Sequence, residues 1–307
     1  MAPRVLVVGS VNMDLIVRCR RVPNEGETVH GQDLVTAGGG KGANQAVAAS
    51  RLGALTSIVG RVGEDEFGPR MRAALEADRV NTEELHTDRG APSGVALILL
   101  EEGGRNRIVV MSGANGRVGE EEVEAARRLL ARSDVVMLQL EIPRWVVAKV
   151  AEEARQQGVP SLLDAGAATP AAAELVGLVD ILSPNEHEAE TLSGIAVREA
   201  GGAAAAAARL REMGSREVVI KLGAAGAYWS GGGGDGHVPG FEIEAVDTTA
   251  AGDAFTACLA VSIASGLPMP EAVRRANAAG ALACLKLGAQ PSMPTLAELE
   301  EFLRARR

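Results

Sequence analysis

Short β-branched runs ending in Gly, Asp or Asn alternate along the chain with longer stretches whose apolar positions recur every three or four residues. The spacing predicts strands over 5–9, 57–62, 135–140, 161–164, 180–182 and 218–222. Between them, residues 67–77 bring Phe67, Met71, Ala74 and Leu75 to one helical face, and 120–132, 144–157, 200–213 and 271–287 repeat that pattern. Strands that are apolar throughout, alternating with amphipathic helices, predict an α/β fold: a mainly parallel central sheet with helices on both faces.

Two stretches break the rhythm. Residues 15–35 are charged and extended, and 94–111 give two strands around a turn at 101–105, a hairpin rather than a crossover unit. A small β-sheet lid over a ligand site fits both stretches, and so does an edge hairpin on the main sheet. The Ala-rich run at 201–208 keeps a helical period through Leu210 and Met213, so it predicts a surface helix rather than a linker. The glycine run at 231–234 predicts a hairpin turn. No internal repeat stands out, and residues 1–307 are enough for one large α/β domain, the organisation expected here, or for two ordinary ones.

A composition of 47% hydrophobic and 23% charged residues excludes a disordered or fibrous chain. Aromatics at 2% leave little for stacking-based nucleic-acid binding, and the net charge of −9 argues against nucleic acid or an anionic membrane. The arginines at 304–307 read as a solvated helix end. Cys19, Cys258 and Cys284 are odd in number and widely spaced, which disfavours a disulfide framework or zinc knuckle and favours a reducing compartment. The apolar run at 5–9 is too short for a signal peptide, and the stretch 254–267 is too short to span a bilayer. A soluble cytoplasmic protein is expected.

The chemistry concentrates in four segments. Ala37-Gly38-Gly39-Gly40-Lys41-Gly42-Ala43-Asn44-Gln45 precedes a helical pattern at 46–52. Such a cluster lets backbone approach a ligand closely, and the following helix offers free N–H groups. The P-loop template fails, because Val35 and Gly42 stand where it needs Gly and Ser or Thr. The dinucleotide fingerprint lacks its acidic partner, and a plain tight turn remains open. Asp247-Thr248-Thr249-Ala250-Ala251-Gly252-Asp253 leads into an apolar helix at 254–265. Small residues before a helix can form an anion-holding nest of N–H groups, beside which Asp253 would accept a hydroxyl proton. Asp253 also fits an ordinary helix-start acid, and Asp247 a cation ligand or a turn-former.

The strand at 5–9 runs into Ser10-Val11-Asn12-Met13-Asp14, where Asn12 and Asp14 alternate and could grip adjacent hydroxyls, or simply build a turn. Glu141 follows its strand in the same manner. In Ser183-Pro184-Asn185-Glu186-His187-Glu188, Asn185 and Glu188 share a helical face, suited to metal-bound water or phosphate oxygens and equally to stabilising a helix start. His187 has no second His or Cys at ligand spacing, and HExxH and GxSxG are absent, so zinc and serine hydrolases are disfavoured.

Together these segments resemble the ribokinase-like (phosphofructokinase-B) family of carbohydrate kinases, from Gly9-Ser10-Val11-Asn12-Met13-Asp14 to Gly288-Ala289-Gln290-Pro291-Ser292. The stretches 39–45 and 247–253 correspond to its two signature regions. The resemblance implies ATP-dependent phosphorylation of the O5 hydroxyl of D-ribose, with Asp253 as base and the backbone of Ala250, Ala251 and Gly252 as anion hole. It implies that Asn12, Asp14, Gly40, Lys41, Asn44 and Glu141 hold the sugar. Asn185 and Glu188 would organise Mg²⁺ through water, and Asn185, Lys221, Gly223, Gly226, Gly252 and Asn277 would meet the nucleotide. A potassium site is implied at Asp247, Thr249, Ala283, Lys286, Gly288 and Ser292, with Asp247, Ala283 and Lys286 acting through carbonyls. The lid sheet would double as a homodimer contact.

Four departures stand out: Ala250 where Gly is common, Cys258 where Gly or Ala is usual, Lys221 where Thr is frequent, and Asp164-Ala165-Gly166 in place of Asn-Pro-Ala. Rival readings are a same-fold kinase for 2-deoxyribose, a nucleoside or 2-keto-3-deoxygluconate, and a non-catalytic sugar-binding regulator. A nucleoside kinase would need more aromatic surface, a sugar-acid kinase an arginine such as Arg18, Arg105 or Arg107, and a regulator would have no need to keep Asp253.

Overall fold

The structure, a computed structural model, describes residues 2–102, 105–198 and 200–306. The chain runs β1 (Arg4–Val8), β2 (Asn12–Cys19), β3 (Asp33–Gly39), α1 (Lys41–Arg51), β4 (Leu55–Gly63), α2 (Phe67–Ala77) and β5 (Leu85–Asp88). A hairpin, β6 (Gly94–Glu101) and β7 (Asn106–Met111), comes next, then α3 (Glu120–Leu130), β8 (Val135–Gln139), α4 (Arg144–Gln157), β9 (Ser161–Asp164) and β10 (Ile181–Ser183). The remainder is α5 (Glu186–Ser193), α6 (Ala200–Glu212), β11 (Glu217–Lys221), β12 (Ala227–Gly231), β13 (Gly234–Val238), α7 (Ala251–Ala264), α8 (Met269–Ala283) and α9 (Leu296–Arg304).

Among the described residues the main sheet has the order β13-β12-β11-β10-β9-β8-β1-β4-β5. It is parallel except for the antiparallel β11–β12–β13 edge, whose turn at Gly231 and Gly234 is the expected hairpin. Alternation along β1 explains the layering. Val5 and Val7 enter one core with α1, α7 and α8, while Leu6 and Val8 enter a second core with α3, α4 and α6.

Residues 15–35 and 94–111 contribute to a separate four-stranded sheet, β3-β2-β6-β7, rather than to the main sheet's edge. The tip of the predicted 101–105 turn, at 103–104, lies outside the described residues, as does the last arginine of the 304–307 run.

Four boundaries differ from expectation, one being the helix expected at 254–265, which starts at Ala251. Asn12 and Asp14 open β2 instead of closing β1. The helix predicted from residue 46 begins at Lys41, because Gly40 turns the chain at φ 86 and the Glu141 carboxylate accepts the exposed Lys41 N–H at 3.1 Å. The helix predicted to reach 287 stops at Ala283, where the Cys284 carbonyl instead accepts the N–H groups of Val246 and Asp247. No helix among the described residues is long and apolar enough to cross a membrane.

Candidate active site

Five neighbouring strands of the main sheet, β1, β8, β9, β10 and β11, end at one edge and deliver Ser10, Glu141, Asp164, Asn185 and Lys221 there. Helices α1 and α7 pack side by side above this edge and add Lys41, Asn44 and Asp253.

Asp253 sits in the first turn of α7 and is buried. Its carboxylate accepts Asn44 Nδ2 at 2.9 Å and Gln45 Nε2 at 3.2 Å, and Lys41 Nζ stands 3.7 Å away. Burial raises its pKa above the ordinary carboxylate value; Lys41 opposes this and the Asp164 charge adds to it. Burial also works against the Lys41 ammonium, but Asp164, Asp253, Glu141 and Glu188 more than offset it and hold the pKa well above the usual lysine value. Gly166 makes room for that ammonium, since a methyl group there would overlap the Lys41 side chain.

In the loop 250–252, expected to form an anion hole, not every N–H is free. Ala250 takes the left-handed conformation at φ 58, an uncommon one for a residue with Cβ. Ala251 N–H is engaged by the Thr248 carbonyl at 3.3 Å. The N–H groups of Gly252 and Asp253 lie in the first turn, where no earlier helical carbonyl is available to accept them.

Asp14 is buried on β2, and desolvation, reinforced by Glu141 and Asp253, pushes its pKa up to about 7. Asn12 Oδ1 accepts Asn115 Nδ2 at 2.7 Å, and Asn115 is itself clamped to the backbone of Val11. Glu141 also accepts Ser10 Oγ at 2.6 Å. Asn44 Oδ1 is buried without a hydrogen-bond partner among the described residues, an acceptor that a ligand hydroxyl would satisfy.

Two cavities meet here. One of about 330 Å³ is lined by Lys41, Asn185, Glu188, Lys221, Ala250 and Asp253. A larger one of about 670 Å³ is lined by Gly226, Phe241, Ile243, Phe255 and Asn277 among others. Lys221, Gly223 and Gly252 line both.

Two residues also do the plainer work weighed for them. Asn185 and Glu188 form a reciprocal cap on α5, the Glu188 carboxylate accepting the Asn185 N–H at 2.8 Å. Asn277 Nδ2 donates to the carbonyls of Val238 and Pro239.

Asp247 accepts from Thr249 N, Thr249 Oγ1 and Gly288 N, which joins three of the six expected potassium ligands; burial opposes its charge, yet these bonds lower its pKa. Lys286 donates its ammonium to Glu298 and its N–H to the Ala283 carbonyl, and Ser292 Oγ donates to Ala289 O. Carbonyl and hydroxyl oxygens are hard donors of the kind that fits an alkali cation, while both oxygens of the Asp247 carboxylate are taken up by Thr249 and Gly288. Arg105 and Arg107 pair with Glu101 on the small sheet and do not line either cavity.

Pattern reading did not single out Gln45, Asn115, Asp164 or Thr256 as site residues. Asp164 was accessible in principle: it ends a parallel strand at the edge where ligands gather. Gln45 ends the glycine-rich segment marked in the sequence, but its role emerges only when α1 and α7 are seen together.

A buried acid, a lysine ammonium and open first-turn N–H groups, gathered at the C-terminal edge of a parallel sheet, define an enzyme that handles an anionic group beside a small polar molecule. The chain belongs to the pfkB family of carbohydrate kinases, whose sequence profile matches residues 2–296. A ribokinase of Haemophilus influenzae is 38% identical, over 97% of this chain and 97% of its own length. Arabidopsis thaliana ribokinase complexed with ribose and ATP superposes with a TM-score of 0.91 at 36% identity, covering 99% of each chain. Thermotoga maritima ribokinase gives 0.89 at 32% identity, with 98% of this chain and 99% of that one covered.

Proposed function

We propose that this protein transfers the terminal phosphoryl group of ATP to the O5 hydroxyl of D-ribose. The observation that carries this is the buried Asp253 carboxylate, at the start of α7, beside Lys41 and the open N–H of Gly252. The relatives named ribokinase, and the similarity to a ribokinase holding ribose and ATP, support the same substrate pair.

Asn12, Asp14, Gly40, Lys41, Asn44 and Glu141 hold the sugar, with Asn44 Oδ1 as an unused acceptor for one hydroxyl. Asp253 takes the O5 proton as the new P–O bond forms, and the Gly252 N–H with the Lys41 ammonium stabilises charge on the transferred group. Ala250 and Ala251 shape that loop. Lys221, Gly223, Gly226 and Asn277 surround the nucleotide, whose base occupies the larger cavity. Magnesium, when bound, neutralises phosphate charge, and Asn185 with Glu188 would orient its waters. Potassium, when bound by the oxygens around Asp247, would brace the loop that leads into α7.

A homodimer through the small sheet is part of the proposal. Every residue of β7 is exposed, including Ile108, Val109, Val110 and Met111, an apolar edge of the kind a partner covers. Sedimentation should give twice the chain mass, and Ile108→Lys with Val109→Lys should reduce it to one; a wild-type monomer refutes this. Three free thiols fit a cytoplasmic location.

The deciding experiment measures ADP release with Mg·ATP across ribose, 2-deoxyribose, fructose, adenosine and 2-keto-3-deoxygluconate, in potassium and in sodium-only buffer. Ribose should give the highest kcat/KM, and potassium should raise it. Another preferred sugar overturns the substrate, and equal rates in both buffers overturn the potassium site.

A further inference from the structure

Two of the departures from the family pattern, Asp164 and Lys221, meet at the centre of the site. Lys221 Nζ lies 3.1 Å from Asp164 Oδ2. The same carboxylate accepts Thr256 Oγ1 at 2.8 Å, Gln45 Nε2 at 3.3 Å and the Gly166 N–H at 2.9 Å, with Lys41 Nζ 3.6 Å away. Asp164 has no exposed surface. It is saturated by protein donors, so it acts on a ligand only through the side chains it holds. A buried carboxylate must be matched by nearby cations, and here the match fixes a lysine ammonium in place.

The place is informative. Lys221 lines both cavities, and a methyl group on Gly252 would come within 3.8 Å of its Nζ. A nucleotide whose base fills the 670 Å³ cavity and whose terminal group reaches Asp253 runs its phosphates past this ammonium. We infer that Lys221 grips the terminal phosphoryl group of the nucleoside triphosphate and that Asp164 is its positioning residue, holding the ammonium at the junction before nucleotide arrives. The inference rests on the kinase reading above. A neutral pair of side chains would offer only uncharged hydrogen bonds here; this chain carries an ion pair. A lysine held in advance needs no reordering when charge builds on the phosphoryl group.

The test compares wild type, Lys221→Thr, Asp164→Asn and the double variant, with ATP and ADP affinities measured by calorimetry and kcat and KM measured with ribose. Lys221→Thr should weaken ATP at least about tenfold more than ADP, because only ATP carries the gripped group, and should lower kcat roughly 10²-fold. Asp164→Asn should lower kcat and weaken ATP more than ADP, as Lys221→Thr does, and the losses of the two single variants should be less than additive in the double variant. Equal weakening of ATP and ADP, or fully additive losses, overturns the inference. If Asp164→Asn does not fold, the ATP-to-ADP ratio of Lys221→Thr decides alone. That ratio needs no sugar turnover, so a protein inactive on ribose that still loses ATP preference refutes the substrate and keeps the grip. Ribose turnover with an unchanged ratio does the reverse.

Discussion

Asp253→Asn is expected to lower kcat for ribose by roughly 10²–10⁴, the usual worth of a general base, and to raise the melting temperature at neutral pH. The first effect is the loss of the proton acceptor; the second comes from burial of the charge. Burial raises the Asp253 pKa, so the folded chain binds that proton more tightly than the unfolded chain does. The stabilisation is fully present below the unfolded value of 3.8 and is lost as pH rises through the raised folded value. Whenever the group is ionised it is a burden on the fold, and the neutral amide relieves it. Lys41 keeps a counter-charge in Asp164, 3.6 Å away, so the substitution does not strand a buried cation. Near-normal turnover in the variant would remove Asp253 from the chemistry; a lowered melting temperature would refute the electrostatic account.

Asp14→Asn is expected to raise the KM for ribose roughly 10²-fold, with a smaller effect on kcat. A carboxylate facing a sugar accepts hydrogen bonds worth about 1.5–3 kcal/mol each when the acceptor is charged, and the amide weakens them. The pH profile separates this role from simple packing. Asp14 titrates at about 7, so its ionised fraction climbs from about a tenth at pH 6 to about nine-tenths at pH 8. The KM for ribose should fall about tenfold over that range in wild type and stay flat in the variant. A flat wild-type profile would mean that Asp14 meets the sugar without changing its charge.

The architecture was legible because it depends on short-range pattern. Residues 67–77 and 144–157 form helices at the predicted bounds, and each predicted strand of the main sheet forms within a residue or two. The start of α1 was not legible, since it depends on Glu141, 100 residues away, accepting the Lys41 N–H. The end of α8 likewise depends on Val246 and Asp247 claiming the Cys284 carbonyl. At the site, Lys41 and Asn44 were marked by their glycine-rich surroundings and Asp253 by the small residues before its helix, signals that are local. Gln45 and Thr256 were hidden, because their significance lies in Asp164, 119 and 92 residues distant. Asn115 was hidden in the same way, acting on Asn12 across 103 positions.

The pairing of α1 with α7 also bears on how the chain is made. Asn44 and Asp253 are 209 residues apart, so the reaction centre cannot exist on a nascent chain until α7 has emerged. Through most of synthesis the Val7, Met137 and Leu162 side of the sheet lacks α7 and α8, which cover it in the finished protein. At about 5–20 residues per second, that apolar face stays open to water for several seconds after β8 has left the ribosome. The interval leaves α7 and α8, which begin only at residue 251, as the step that closes the fold.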